Sequence, residues 1–103
     1  MKFKIRREDI KDGVPEHMSW CPIGLSIERE FGRQFEDFSK YDEFNVEVDW
    51  DHAVVSLADK DGETLELSAM LPTNAMEFIA KFDEGETVRP CTININFRGV
   101  SDV

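Results

Sequence analysis

The sequence is short of the residues from which most catalytic and metal sites are built. Only two histidines and two cysteines occur among its 103 residues. His17 and His52 lack the spacing of a zinc site, and no glycine-rich loop that could hold a phosphate is present. No motif combines a nucleophile with a neighbouring base, so we expect a protein that acts by binding a partner, with no cofactor and no metal. An enzyme is the least favoured alternative.

Long apolar runs are also missing, so the sequence predicts no membrane span. Residues 1–7 alternate basic and apolar side chains and lack the apolar core of a signal peptide. We therefore expect a cytoplasmic protein. In that reducing compartment Cys21 and Cys91 are expected to be buried thiols, and a disulfide or a reactive Cys21 are the alternatives.

Basic residues are scarce as well. The chain has 12 of them against 22 acidic residues, which gives a net charge of −10. A protein with this balance cannot neutralise a row of phosphates, so direct binding to nucleic acid is excluded. The excess of acid suits a basic or nucleic-acid-binding protein partner, a bound cation, or solubility alone.

A stretch of alternating apolar and polar residues occupies the middle of the sequence. From Phe44 to Trp50 every second residue is apolar, which is typical of a half-buried strand. Asp61-Gly62 separates two further alternating stretches and predicts a hairpin, because glycine takes the positive φ that such a turn needs. We expect a three-stranded antiparallel meander over residues 44–70, with Trp50 largely buried.

A helix is predicted to begin at Pro22, a residue that costs little at the first helical position. Cys21 stands just before it, where the helix dipole favours a thiolate, although a packing role is preferred. The helix is expected to end at Gly32. Its apolar stripe is formed by Ile23, Ile27 and Phe31.

A second helix is predicted after Leu71, where Asn74 and Glu77 have the spacing of a capping box. Two further alternating segments, residues 2–6 and 91–97, predict a first and a last strand. The apolar stripe of the second helix is formed by Ala75, Phe78, Ile79 and Phe82.

These elements predict one α+β domain over residues 1–103, in the order β-α-β-β-β-α-β. We expect a mostly antiparallel sheet of about five strands with two helices on one face, because that arrangement buries each apolar stripe once. The opposite face of the sheet would then be open to solvent.

Acidic side chains are concentrated on the predicted open face. Glu47, Asp49 and Asp51 are two residues apart, so on one strand they would form a ladder with a spacing of about 7 Å. Glu66 of the third strand shares their phase. We predict that Glu47, Asp49, Asp51 and Glu66 bind a partner that normally meets a row of phosphates. A solvated face without a partner is the alternative.

Several short segments carry a resemblance to a known group of proteins. They are residues 8–13 (Glu-Asp-Ile-Lys-Asp-Gly), residues 19–25 (Ser-Trp-Cys-Pro-Ile-Gly-Leu), Leu71-Pro72, and residues 77–83 (Glu-Phe-Ile-Ala-Lys-Phe-Asp). With its helix start at Cys-Pro and its late helix end at Phe-Asp, the chain resembles small acidic proteins encoded by bacteriophages and some bacteria.

The resemblance implies an accessory protein, without a particular activity or assigned site residues. We expect an inhibitor or adaptor that occupies host machinery, such as a defence complex, in the host cytoplasm and acts as a nucleic-acid mimic. A structural or oligomeric accessory protein without mimicry is the alternative, and a homodimer is left open.

Overall fold

The computed structural model of the chain describes residues 1–35 and 38–99. In chain order, the strands are β1 (Lys2–Ile5), β2 (Tyr41–Val48), β3 (His52–Asp59), β4 (Thr64–Met70), β5 (Cys91–Asn94) and β6 (Arg98–Gly99). The helices are α1 (Arg7–Asp12), α2 (Pro22–Gln34) and α3 (Thr73–Asp83), with a short 3-10 helix at Phe38–Lys40. The α+β class is confirmed.

The strands form two antiparallel sheets, where the sequence predicted one sheet of about five strands. One sheet has the order β2-β3-β4-β6 and the other pairs β1 with β5. The division arises because the predicted last strand is interrupted after Asn94. Residues 91–94 pair with β1, and the chain then crosses to β4, where β6 forms the pairs Leu67–Gly99 and Ser68–Arg98 beyond the predicted strand.

The predicted meander is confirmed in β2, β3 and β4. Val46 and Val48 face the core, as do the alternate residues of β3 and β4. Gly62 has a φ of +82° in the turn between β3 and β4. The Oδ1 atom of Asp59 accepts hydrogen bonds from the backbone N–H groups of Asp61 and Glu63, at 2.9 Å each. The Asp59 side chain therefore fixes this turn.

Helix α2 begins as predicted, and Cys21 is its N-cap residue, with Sγ 3.4 Å from the backbone N–H of Gly24. The predicted end at Gly32 is wrong, since the helix runs to Gln34. Gly32 serves close packing instead, because a Cβ atom there would lie 2.9 Å from the ring of Phe38. The glycine thus lets the 3-10 helix lie directly against α2.

Helix α3 buries Ala75, Phe78 and Ile79 of the predicted apolar stripe and leaves Phe82 half-buried, but the predicted capping box is absent. Pro72 is the N-cap residue and no side chain caps the helix. The side-chain amide of Asn74 instead donates to the backbone carbonyl of Thr92, at 3.3 Å. This hydrogen bond links α3 to the two-stranded sheet.

Phe31 of α2 lies at the centre of the core and is fully buried. Four phenylalanine rings surround it with centroid distances of 5.1–6.1 Å, contributed by Phe35, Phe38, Phe44 and Phe97. Phe35, Phe38 and Tyr41 are partly buried and pack against this core. Aromatic rings therefore join α2 to both sheets.

Helix α2 also covers the outer edge of β1. Gln34 exchanges two hydrogen bonds with the backbone of Lys2, and a Glu30 carboxylate oxygen accepts from the N–H of Lys4. Arg29 donates to the Lys4 carbonyl and pairs with the buried carboxylate of Asp9 in α1. These contacts fasten β1, α1 and α2 together.

Candidate protein-binding surface

The outer face of the four-stranded sheet is exposed and mostly polar. We call it the open face. Ser56 and Ala58 of the middle strand β3 have small side chains. The face therefore has a depression of about 430 Å³ between β2 and β4, over Asn45, Ser56 and Glu66. The outward side chains of its four strands include Asn45, Glu47, Val54, Ser56, Glu66, Ser68 and Arg98.

Three of the four predicted binding residues share this face. Glu47 lies opposite Val54, and Glu66 lies opposite Ser56, so the two glutamates flank β3 on either side. Two strand spacings and a two-residue offset put their Cα atoms about 12 Å apart. The N–H of Asp49 donates to the carbonyl of His52 at 2.7 Å, which continues the pairing pattern one residue beyond β2.

The predicted ladder of three acids on one strand is wrong at Asp51. Strand β2 ends at Val48, and Asp51 belongs to the turn that leads into β3. Its Oδ1 atom lies 2.7 Å from Nδ1 of His52, and an oxygen of Asp49 lies 4.0 Å from Nε2. The hydrogen bond from Asp51 is the main cause that raises the pKa of His52 above its ordinary value, and the charges of Asp51 and Asp49 raise it further.

Most of the net negative charge of the chain lies in this region. Residues 41–70 contain nine acidic residues and only one base, Lys60, a net charge of −8 out of −10 for the whole chain. The exposed acids among them are Asp42, Glu43, Glu47, Asp61, Glu63 and Glu66. The three-stranded meander is therefore a strongly negative surface.

Trp50 was predicted to be buried, and this prediction is wrong, because 68% of the residue is exposed. The alternating pattern that buries Val46 and Val48 stops at the end of β2, and Trp50 lies in the following turn. It joins other large apolar residues that are exposed. The set, which we call the aromatic end, consists of Val14, Met18, Trp20, Trp50 and Met70.

Backbone contacts connect the segments of the aromatic end. The N–H of Val48 donates to the carbonyl of Met18 at 2.7 Å, so residues 13–20 lie against the end of β2. Met70 pairs with His52 across β3 and β4, next to the turn that carries Trp50. Exposed tryptophan and methionine in adjoining segments are typical of surfaces that bind other proteins.

His17 holds the conformation of residues 13–20. Its Nδ1 atom accepts hydrogen bonds from the N–H groups of Ser19 and Trp20, at 3.2 and 3.0 Å. The N–H of Glu16 donates to a carboxylate oxygen of Asp83 at 2.9 Å, which fixes the loop to the end of α3. The loop therefore presents Met18 and Trp20 to solvent in a defined conformation.

A pocket of about 140 Å³ opens between this loop, the turn after β2 and the end of α3. Cys21, Val48 and Ile79 line its apolar part, and each of them is buried. Met18 and Trp50 form an exposed wall. Three acids, Glu16, Asp49 and Asp83, also line the pocket. We call it the Trp50 pocket.

The two cysteines are free thiols in different environments. Cys21 is buried, as predicted. Burial is the main cause that raises the pKa of its thiol, and this effect outweighs the hydrogen bonds from N–H groups at the start of α2, which lower the pKa. Cys91 is only half-buried, so the prediction of two buried thiols is wrong for it; partial burial raises its pKa as well. The geometry gives Cys21 a packing role rather than a thiolate role.

Within residues 1–35 and 38–99, no three histidine, cysteine or acidic side chains are grouped so as to hold a metal ion. The helices of that same part of the chain are too short and too polar to cross a membrane.

Comparison of the chain with protein-family models, with curated proteins and with solved structures gave no match. The resemblance to small acidic phage proteins therefore remains a prediction.

Proposed function

We propose that the chain is a non-enzymatic binding protein that meets a basic surface of a protein partner with its acidic meander. The observation that carries this proposal is the confinement of a net charge of −8 to residues 41–70. Charge of one sign on one face steers an oppositely charged partner and raises the association rate.

The arrangement of the acids supports a partner that normally binds nucleic acid. Glu47 and Glu66 lie on either side of β3, opposite Val54 and Ser56, and Asp49 extends the row at one end. Carboxylates on a rigid sheet would occupy positions that phosphate groups take on such a partner. In this role the chain would be an inhibitor of nucleic-acid-binding host machinery, as the resemblance to phage proteins implies.

The aromatic end supports a binding function independently of charge. Tryptophan and methionine are enriched in the cores of protein interfaces, where they carry much of the binding free energy. Trp50 lies in the turn between β2 and β3, next to Asp49 and Asp51. A partner that covers the open face near this turn would therefore also contact apolar side chains.

The alternative is a structural or oligomeric accessory protein whose aromatic end contacts another copy of the chain. The exposed Met18, Trp20 and Trp50 support it, because apolar contacts of this kind are common between copies. Salt separates the two functions, since association led by charge weakens as ionic strength rises, while apolar contacts persist. Sedimentation at low and high salt measures the oligomeric state directly.

The experiment that tests the proposed function is capture of partners from a bacterial lysate on three immobilised proteins. The first is the natural chain, and the second carries Glu47→Gln, Asp49→Asn and Glu66→Gln on the open face. The third is a matched control with Asp12→Asn, Glu28→Gln and Glu77→Gln, three exposed acids of the helices. Both variants have the same change in net charge.

We expect the natural chain and the control to retain the same basic protein and the open-face variant to lose it. Added DNA should displace the retained protein if the acidic face mimics nucleic acid. Equal loss from both variants would mean that net charge alone, and no particular face, attracts the protein. Retention of no protein by any of the three would contradict a binding function in that lysate.

A further inference from the structure

The Trp50 pocket combines three features. Its inner wall is apolar and buried, its outer wall is an exposed indole, and acidic groups line it. Pockets for whole small-molecule ligands have volumes of about 300–1,000 Å³. With about 140 Å³, this pocket has the size for one side chain of a partner.

The acidic group at the end of α3 is held in a fixed orientation. One oxygen of Asp83, Oδ1, accepts the N–H of Glu16, and the other accepts no hydrogen bond from the residues that the structure describes. Asp83 is also close enough to Cys21 for its charge to raise the pKa of that thiol. A carboxylate therefore stands beside the apolar wall with one oxygen open to a donor.

We propose that this pocket takes an arginine side chain of the partner. This proposal rests on the proposed function, because it identifies the residue type of the basic partner that the chain binds at this end of the open face. The aliphatic part of the arginine contacts Val48 and Ile79. Its guanidinium stacks on the indole of Trp50 and donates to the Asp83 carboxylate.

Arginine fits these groups better than lysine does. A guanidinium is planar, stacks on an aromatic ring and is more weakly hydrated than an ammonium group. Trp50 lines the pocket and is largely exposed, and Asp83 lines it as well and offers an acceptor. A lysine side chain would meet the same charge but would gain less from the ring.

The test uses a blocked tripeptide with arginine between two leucines, titrated into the full chain and followed by NMR. Two further peptides replace arginine by citrulline, which keeps the shape without the charge, and by lysine. The variants are Asp83→Asn, which keeps the acceptor for the Glu16 N–H, and Trp50→Ala. The matched control is Asp12→Asn, an exposed acid at the end of α1.

We expect saturable shifts of the Trp50 indole N–H and the Met18 methyl group, with a Kd on the order of 1 mM. The citrulline peptide and the Asp83→Asn variant should each bind about tenfold more weakly, and the lysine peptide should also bind more weakly than the arginine peptide. Binding to Trp50→Ala should weaken too, and Asp12→Asn should bind as the natural chain does. Equal binding of arginine and citrulline, shifts confined to the open face, or no saturable shift would each overturn the proposal.

The outcome is separable from that of the proposed function. A variant with only Glu47→Gln and Glu66→Gln changes the open face and keeps all the residues that line the pocket, so it should bind the arginine peptide within about twofold of the natural chain. If the arginine peptide binds but no protein is captured from the lysate, the pocket proposal is supported and the proposed function is contradicted. Capture that depends on the open face but is unchanged in Asp83→Asn and Trp50→Ala would overturn the pocket alone.

Discussion

The imidazole ring of His17 lies flat against the indole of Trp20, with centroids 4.7 Å apart and planes 8° from parallel. The same imidazole accepts the N–H groups of Ser19 and Trp20 through Nδ1. One histidine therefore both shapes residues 13–20 and fixes an exposed tryptophan. The aromatic end is an ordered part of the molecule, and its exposure follows from how the loop is held.

Replacement of His17 by alanine should loosen this loop and leave the core intact. Two backbone donors lose their acceptor, so we expect a loss of about 1 kcal/mol in the free energy of unfolding. Amide exchange should speed up at Ser19 and Trp20 and stay unchanged in β3. An unchanged exchange rate at both amides would contradict the role given to His17.

The stability of the fold should depend on Phe31 and very little on Trp50. Phe31→Ala removes a fully buried ring from the middle of an aromatic cluster, at an expected cost of about 3–5 kcal/mol. Trp50→Ala changes an exposed turn residue, so we expect a change within about 0.5 kcal/mol. Urea unfolding of both variants measures the difference. A large loss for Trp50→Ala would mean that this indole is packed against the core.

His52 should titrate above its ordinary pKa of about 6.5 because of Asp51. A raised pKa in the folded state stabilises the fold fully below about pH 6.5, and the stabilisation is lost as the pH rises through the folded pKa. The Asp51→Asn variant should lower that pKa and flatten this part of the pH dependence. NMR titration of the His52 ring measures the pKa in both proteins. A higher pKa in the variant would contradict the assignment.

The two thiols should react at different rates. Cys21 is buried and its pKa is raised, whereas Cys91 is half-buried on a strand of the two-stranded sheet. A thiol reagent should label the Cys21→Ser variant, which keeps Cys91, much faster than Cys91→Ser, which keeps Cys21. Amide exchange of Gly24 checks that serine preserves the N-cap. Faster labelling of Cys21 would favour a reactive thiol at the start of α2.

The local pattern of the sequence was enough to predict the meander, the start of α2 and the stripe of α3. Each of these depends on neighbours in sequence: alternation in Val46 and Val48, the turn at Gly62, the spacing of Phe78 and Ile79. The division into two sheets depends on distant pairing. Residues 91–94 pair with β1 and residues 98–99 pair with β4, and Phe97 between them packs on Phe3 and Phe31. No local pattern in the sequence records these distant contacts.

Only the part of the candidate site that lies on regular strands could be predicted, because only that part follows from a local pattern. Glu47 and Glu66 have the outward phase of regular strands, so their shared face follows from alternation. Trp50 and Asp51 could not be placed by alternation, because the strand ends at Val48. The run Asp-Trp-Asp-His is itself a signal for a turn, with polar residues on both sides of the indole. The Trp50 pocket joins three distant segments, and only the fold shows it.

The most direct measurement of the central claim is binding of the captured partner to the purified chain at several salt concentrations. The account predicts that Glu47→Gln, Asp49→Asn and Glu66→Gln together slow association and flatten the dependence of affinity on salt. The control with Asp12→Asn, Glu28→Gln and Glu77→Gln should keep both close to those of the natural chain. Unchanged affinity and salt dependence in the open-face variant would contradict the proposed function. The acidic face would then be a solvated surface that does not contact the partner.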